Sequence, residues 1–414
     1  MTSEPREPLR TSAFRRYFSA VATSAFGTTL TVVALPVLVL EVLGGDAVAL
    51  GIVNAAQLVP YALLGLVAGV YVDRWRRQRV LVWASLGRAL TIALVPVLWW
   101  LGMLQLWVLV VLLVLFGGCA VFGFAATQSL LPQIVERRAL LAANARLDQA
   151  ETAAQTVGPV FGGWFVGWLG APIALVIDAV TYVIDAVLIA GARLTESASP
   201  PAEKRSLRRD VGDGLRWTYR HRVLGPLAAS THVWFFANAA GFTTLAVLVL
   251  QVMDASPLVY GLLLAVGGVA ALLGTLLVGR MTARLGSGRT IACGRLAYPL
   301  AWSAIAIASI GGASDASFVT VFAAFALQGF AGGIENANEM SLRQTMTPDP
   351  LLGRVNGTMR SANRTVAAVG AIVGGVTASA FGVLPALVGV AVVFAAAFAI
   401  AAASPVRTAR LAEE

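Results

Sequence analysis

Charge is scarce in this chain: only 12% of its 414 residues are charged, against 58% apolar, and the mean hydropathy is +0.79. A water-soluble fold of this length does not have that balance. There are two cysteines, Cys119 and Cys293, both within apolar stretches, so no disulfide framework is implied. The two histidines, His221 and His232, are too few for a convincing metal site, and no Ser/His/Asp grouping appears. A G-x-x-x-x-G-K-[ST] phosphate loop is also missing, which excludes ATP as the direct energy source. Enzyme chemistry, a cofactor and a resident metal are therefore not expected.

What the chain does contain is apolar runs of roughly 20 residues, each long enough to cross about 30 Å of hydrocarbon. Twelve can be drawn between residues 15 and 403, which predicts an all-α polytopic membrane protein. The net charge of +9 would suit nucleic acid, but its placement points to the lipid bilayer. With the N-terminus set in the cytosol, the inside connections hold Arg6, Arg10, Arg15 and Arg16, then Arg74, Arg76, Arg77 and Arg79, then Arg137, Arg138 and Arg146. The outside loops carry only the acids Glu41, Asp46, Asp254 and Asp315. This is the positive-inside pattern, and it predicts a multi-pass protein of the cell membrane with both termini cytosolic. On this reading Arg88 is the one basic residue well inside a span. The first apolar run is too long for a signal-peptide core and reads as an uncleaved span. Trp99, Trp100, Trp107 and Trp168 near outer helix ends, with Trp75, Trp83 and Trp217 near inner ends, read as interfacial belts.

A polar stretch containing Pro200, Pro201 and the only lysine, Lys204, splits the chain into residues 1–193, a linker 194–222 and residues 223–414. Leu207, Val211 and Leu215 recur among its arginines, which fits either an amphipathic helix on the cytosolic surface or a solvated connector. The halves repeat. An ungapped offset of 212 pairs Asn144 with Asn356, Gly158 with Gly370, Gly162 with Gly374, Gly163 with Gly375 and Gly170 with Gly382. An offset of 210 pairs Gly51 with Gly261, Gly69 with Gly279, Arg74 with Arg284 and Arg79 with Arg289. Two parallel six-helix bundles are an architecture of transporters that rock about a midplane site.

Gly69, Asp73, Arg74, Arg76 and Arg77 at the inner end of the second span resemble the G-x-x-x-D-R-x-G-R-R loop signature of the major facilitator superfamily, with Arg76 where glycine is usual. The resemblance implies that Asp73 latches a cytosolic gate, with Gly69 admitting a neighbouring backbone; a plain positive-inside turn is the other reading. The second half has Ala283 in place of the acid, so any latch is one-sided. Gly158, Pro159, Gly162 and Gly163 resemble the superfamily's antiporter motif, with Ala145 and Ala154 at its other glycine positions; tight helix packing would give the same spacing. Leu131 to Val135, Leu141 to Ala145, Gly214 to Trp217 and Gly353 to Val355 resemble the macrolide-efflux and enterobactin-exporter branch of drug:proton antiporters.

Ionisable groups inside the bilayer each need a reason. Asp178 and Asp185 share a face of the sixth span and read either as proton carriers or as hydrogen-bonded structural acids. Asp148 and Glu151 are either partners for Arg88 or part of a cytosolic gate. Glu335 and Glu339 are placed near the inner surface, as gate or surface pairs first and proton or substrate sites second. Family geometry implies a central cavity to which Phe122, Phe124, Trp234, Phe235, Phe236, Asn238 and Gln328 contribute, a mostly aromatic wall suited to bulky apolar or cationic compounds. The reading is a secondary-active exporter, working without a protein partner, that exchanges protons for a drug-like or natural-product molecule. An uptake symporter of the same fold, or a non-transporting receptor or scaffold, is the alternative.

Overall fold

The computed structural model describes residues 11–72, 74–136, 139–192 and 207–409, which are helical almost throughout, with no strand among them. Six helices form a first bundle: α1 (Ser12–Val37), α2 (Ala47–Val72), α3 (Arg77–Trp100), α4 (Leu106–Ile134), α5 (Leu140–Leu169) and α6 (Ala171–Ala190). A shorter helix, α7 (Leu207–Arg220), leads to a second set: α8 (Leu224–Val247), α9 (Pro257–Leu285), α10 (Ser287–Ile310), α11 (Asp315–Met346), α12 (Asp349–Phe381) and α13 (Val383–Ala402). Asp73 and residues 193–206 of the linker fall outside the described residues.

Local chemistry explains where these helices begin and stop. The hydroxyls of Thr11, Ser256 and Ser314 accept from the backbone N–H groups of Phe14, Val259 and Ser317, capping α1, α9 and α11. Gly170 and Gly382, paired by the repeat, make one-residue turns after α5 and α12 at φ of 83° and 91°, a conformation that a side chain would strain. Pro36, Pro60, Pro96, Pro132, Pro159 and Pro299 sit inside helices. Neighbouring helices make such breaks tolerable in membranes.

Eleven of these helices are long and apolar enough to cross a membrane among the described residues. The remaining long helix, α5, begins with Arg146, Asp148 and Glu151, and its apolar run is confined to its second half. Lipid-facing surfaces are apolar: on α6, Val176, Val180, Val183 and Val187 are exposed while Asp178, Tyr182 and Asp185 turn inward. Trp100, Trp107 and Trp168 are exposed near the end opposite the arginines.

The repeat extends to backbone irregularities. A π-helical turn ends α1 at Leu38–Val42, and another ends α8 at Leu248–Val252, displaced by 210 residues. Gly44 and Asp254, also 210 apart, both take positive φ, at 63° and 48°.

The two sets meet along two seams, α2 against α12 and α5 against α9. Both are built on glycine near the end away from the arginines. A Cβ on Gly163 would lie 2.4 Å from the Pro257 carbonyl oxygen, and one on Gly261 would lie 2.1 Å from that of Pro159. The pseudo-symmetric seam repeats this: Gly375 would lie 2.2 Å from the Ala47 oxygen and Gly51 2.6 Å from that of Ala371. Asn54 donates to Thr243 at 3.1 Å across the α2–α8 contact, and Ser379 donates to Asp46 at 2.9 Å. The Ala49 N–H and that hydroxyl hold the Asp46 carboxyl below its ordinary range, so it stays an acceptor at physiological pH.

The α7 helix packs on the second set. Gly214 brings it against the Arg354 carbonyl oxygen of α12, Arg354 pairs with Asp213 at 3.3 Å, and the Tyr219 hydroxyl meets His232 Nε2 of α8 at 2.5 Å. It is thus anchored rather than solvated on all sides, though Leu215 faces outward.

Candidate functional site

Between the two sets lies a cavity of 1330 Å³, lined by α1 to α6 on one side and α8 to α12 on the other. Phe242, Leu264 and Phe325 line its deep part, below the glycine seams, and Leu131, Pro132 and Leu140 line its mouth at the arginine-rich end. Gly69, Gly279, Gly353 and Gly357, all at that end, have no atom within 4 Å of where a Cβ would stand. Among the described residues, nothing makes the close backbone approach expected at Gly69.

Of the cavity candidates, Phe124, Trp234, Asn238 and Gln328 line it. The Gln328 Oε1 has no hydrogen-bond partner among the described residues. Phe122 points elsewhere: with Trp75, on which it stacks, it lines an 880 Å³ groove on the outer surface of α2, α3 and α4, whose basic end carries Arg74, Arg76 and Arg79. Phe235 lines neither space and packs edge-on against Trp234. Arg77 is buried at the start of α3. Gly158 and Gly162 seat α5 on Thr29 and Leu30 of α1, while Pro159 and Gly163 face α9 across the seam.

The intramembrane charges form two separate networks. In the first set, Asp185 accepts from Ser85, and Arg88 lies 3.8 Å from Asp185 and 3.1 Å from the Ser85 hydroxyl. The Arg88 guanidinium also sits 4.4 Å from the Tyr182 ring centre, and the Tyr182 hydroxyl meets Thr28 at 2.7 Å. Asp178, 0% exposed, accepts from Thr31 of α1. Arg88 and Asp185 reach the cavity and Asp178 does not. Asp148 and Glu151, read as partners for Arg88 or as part of a cytosolic gate, line the cavity wall on α5, while the carboxylate beside Arg88 comes from Asp185 of α6.

In the second set the centre is Arg295 of α10, 1% exposed, at 2.5 Å from Glu335 and 3.0 Å from Glu339. Its guanidinium also donates to the Ser230 carbonyl and the Thr231 hydroxyl. Arg88 is thus not the one basic residue inside the spans. Arg295, Arg360 and Arg364 are also there, and the last two line the cavity. Glu335, 4% exposed, is a buried pair member rather than a surface acid. The α11 helix runs eleven residues beyond it to Met346, so its inner end overshoots the hydrocarbon. The wall is accordingly more charged than the sequence reading allowed.

A family model for transmembrane secretion effectors matches residues 3–413. The chain belongs to this family of major facilitator transporters. Among its relatives is the MFS-type transporter YvqJ of Bacillus subtilis, 24% identical over 82% of this chain and 80% of that one. The multidrug efflux pump Tap of Mycobacterium tuberculosis is 30% identical over 54% of each chain. Among solved structures, a bacterial homologue of the human lysosomal transporter Spinster, inward-facing and unoccupied, covers 96% of this chain and 97% of its own at a TM-score of 0.73 and 15% identity. A POT family transporter in complex with 5-aminolevulinic acid covers 96% of both at 0.76 and 10%. At these identities the structures speak to the fold alone. Family and fold are those of membrane transporters rather than enzymes.

Proposed function

We propose that this major facilitator protein is a secondary-active exporter that moves a small organic molecule out of the cytosol by alternating access, in exchange for protons. It works as a monomer in the cell membrane, with both termini cytosolic and the units 1–193, 194–222 and 223–414 acting as bundle, linker and bundle. The observation that carries the reading is the cavity, lined by both sets of helices from mid-helix to the arginine-rich end, with both glycine seams tight at the other end. The positive-inside rule makes that end cytosolic, so this is the inward-open state. The partial likeness to the Tap efflux pump favours export over uptake. The Arg88–Asp185 pair is the proton-coupling site, because among the buried acids Asp185 reaches the cavity and has a cation to trade its charge against. Asp73, Arg74 and Arg77 close the cytosolic side in the opposite state, when Gly69 comes into contact.

Transport into inverted vesicles of drug-like compounds, driven by an inside-acid gradient and abolished by a protonophore, is the expected result. Accumulation only in right-side-out vesicles would make the protein an uptake symporter, and binding without flux would make it a receptor. Asp185→Asn is expected to remove gradient-driven flux while leaving substrate exchange at equal pH intact. Gradient-driven flux that persists in this variant removes Asp185 from the coupling step.

A further inference from the structure

Two cations in the cavity have no anionic partner among the described residues. Arg360 and Arg364 lie one turn apart on α12, about 16 and about 22 Å along the helix from Asp349 at about 1.5 Å per residue. Neither makes a hydrogen bond or ion pair among the described residues. Each guanidinium instead rests against a ring of the other set: Arg360 is 3.7 Å from the centre of Phe124 on α4, and Arg364 is 5.6 Å from that of Tyr61 on α2. A stacked guanidinium keeps its N–H donors in its own plane, free for a second partner. Two like charges a turn apart repel, and at membrane depth each is costly unless an anion or water accompanies it.

The described carboxylates in and around the cavity do not supply that anion. Asp185 is engaged by Arg88 and Ser85, and Glu335 and Glu339 by Arg295. Asp148 and Glu151 line the cavity from α5. That helix packs on α1, α6 and α9, whereas α12 packs on α2, α7, α8 and α13, and Asp213 of α7 is taken by Arg354 at 3.3 Å. The offset of 212 that aligns the halves sets Asp148 opposite Arg360 in the repeat. Symmetry-related positions on the two walls therefore carry opposite charge.

Resting on the reading of this cavity as the transport path, we propose that Arg360 and Arg364 form an anion subsite, and that the transported molecules carry a carboxylate or similar oxyanion on an aromatic or apolar body. The planar forks bind the oxyanion through charge-assisted hydrogen bonds. Phe124, Tyr61 and Trp234 take up the body, and Asp148 and Glu151 repel a second anion at the far wall. This replaces the preference for apolar or cationic compounds that the sequence alone implied.

The test is equilibrium binding to the purified full chain in lipid nanodiscs, using three probes that share one ring system: naphthoate, naphthylmethylammonium and naphthylmethanol. The wild type is expected to bind naphthoate at least about tenfold more tightly than the ammonium. R360Q/R364Q is expected to lose roughly that preference while holding naphthylmethanol as before, which shows that the fold survives, and R360E/R364E is expected to reverse the order. A wild type that prefers the cation, or naphthoate affinity unmoved in R360Q/R364Q with naphthylmethanol still bound, overturns the subsite. Binding needs no gradient, so the two readings fail separately. Naphthoate bound as stated but never moved by vesicles refutes export alone, whereas gradient-driven flux without carboxylate preference refutes the subsite alone.

Discussion

Eight residues into α10, Arg295 is the most enclosed cation among the described residues, held by two carboxylates, a carbonyl and a hydroxyl. Removing one member of such a buried pair leaves the other uncompensated, at about 3–5 kcal/mol. Arg295→Met is therefore expected to lower the thermal unfolding midpoint in detergent sharply, and R295M/E335Q to recover most of the loss. Asp213→Asn, which breaks only a partly exposed pair with Arg354, is expected to change stability by less than about 1 kcal/mol. Arg295 escaped the sequence reading because it lies near the start of its apolar stretch, where an arginine passes for a flanking residue. Arg360 and Arg364 were hidden similarly by the long amphipathic α12, whose first half resembles a cytosolic connection. A helix-period scan would have placed both on one face, four residues apart. Asp178 and Asp185 were legible from spacing alone, but their partners Thr31 and Ser85 were not, because nothing local marks which hydroxyl on another helix will arrive.

At the scale of elements, the glycines that drew attention as motifs turn out to set how closely helices approach. Gly163 and Gly375 meet backbone oxygens, which cannot swing aside as a side chain can. Gly163→Val or Gly375→Val is expected to wedge its seam apart, so that a cysteine placed at Asn54, with Cys119 and Cys293 replaced, reacts several-fold faster with an impermeant thiol reagent. Gly389→Val, where a Cβ meets nothing within 4 Å, should leave the rate unchanged. If the rate is equally unchanged in the seam variants, the glycines do not hold this end closed. The paired π-turns were also written in the chain, as Leu38 to Val42 against Leu248 to Val252 at the same offset that pairs Gly69 with Gly279, but an aliphatic run carries no charge or glycine to mark the repeat.

At the scale of the whole molecule, the fold was almost entirely readable, because hydrocarbon thickness and the cost of moving arginine across it leave few arrangements. Sidedness is checked directly. A cysteine in place of Arg220 should be labelled by an impermeant reagent in inverted vesicles, and one in place of Asp254 in intact cells; the reverse pattern would turn the molecule over and make its open mouth an extracellular one. What the sequence did not convey was which state of the proposed alternating-access cycle the helices take, since on that reading the same chain adopts both. The glycine seams bear on that ability. Main chain lying on main chain has few interlocking side chains to disengage, so the two halves can peel apart like adhesive strips rather than unlatch like a bolt. Each turnover then costs mainly weak dispersion contacts that the opposite face recovers as it zips shut.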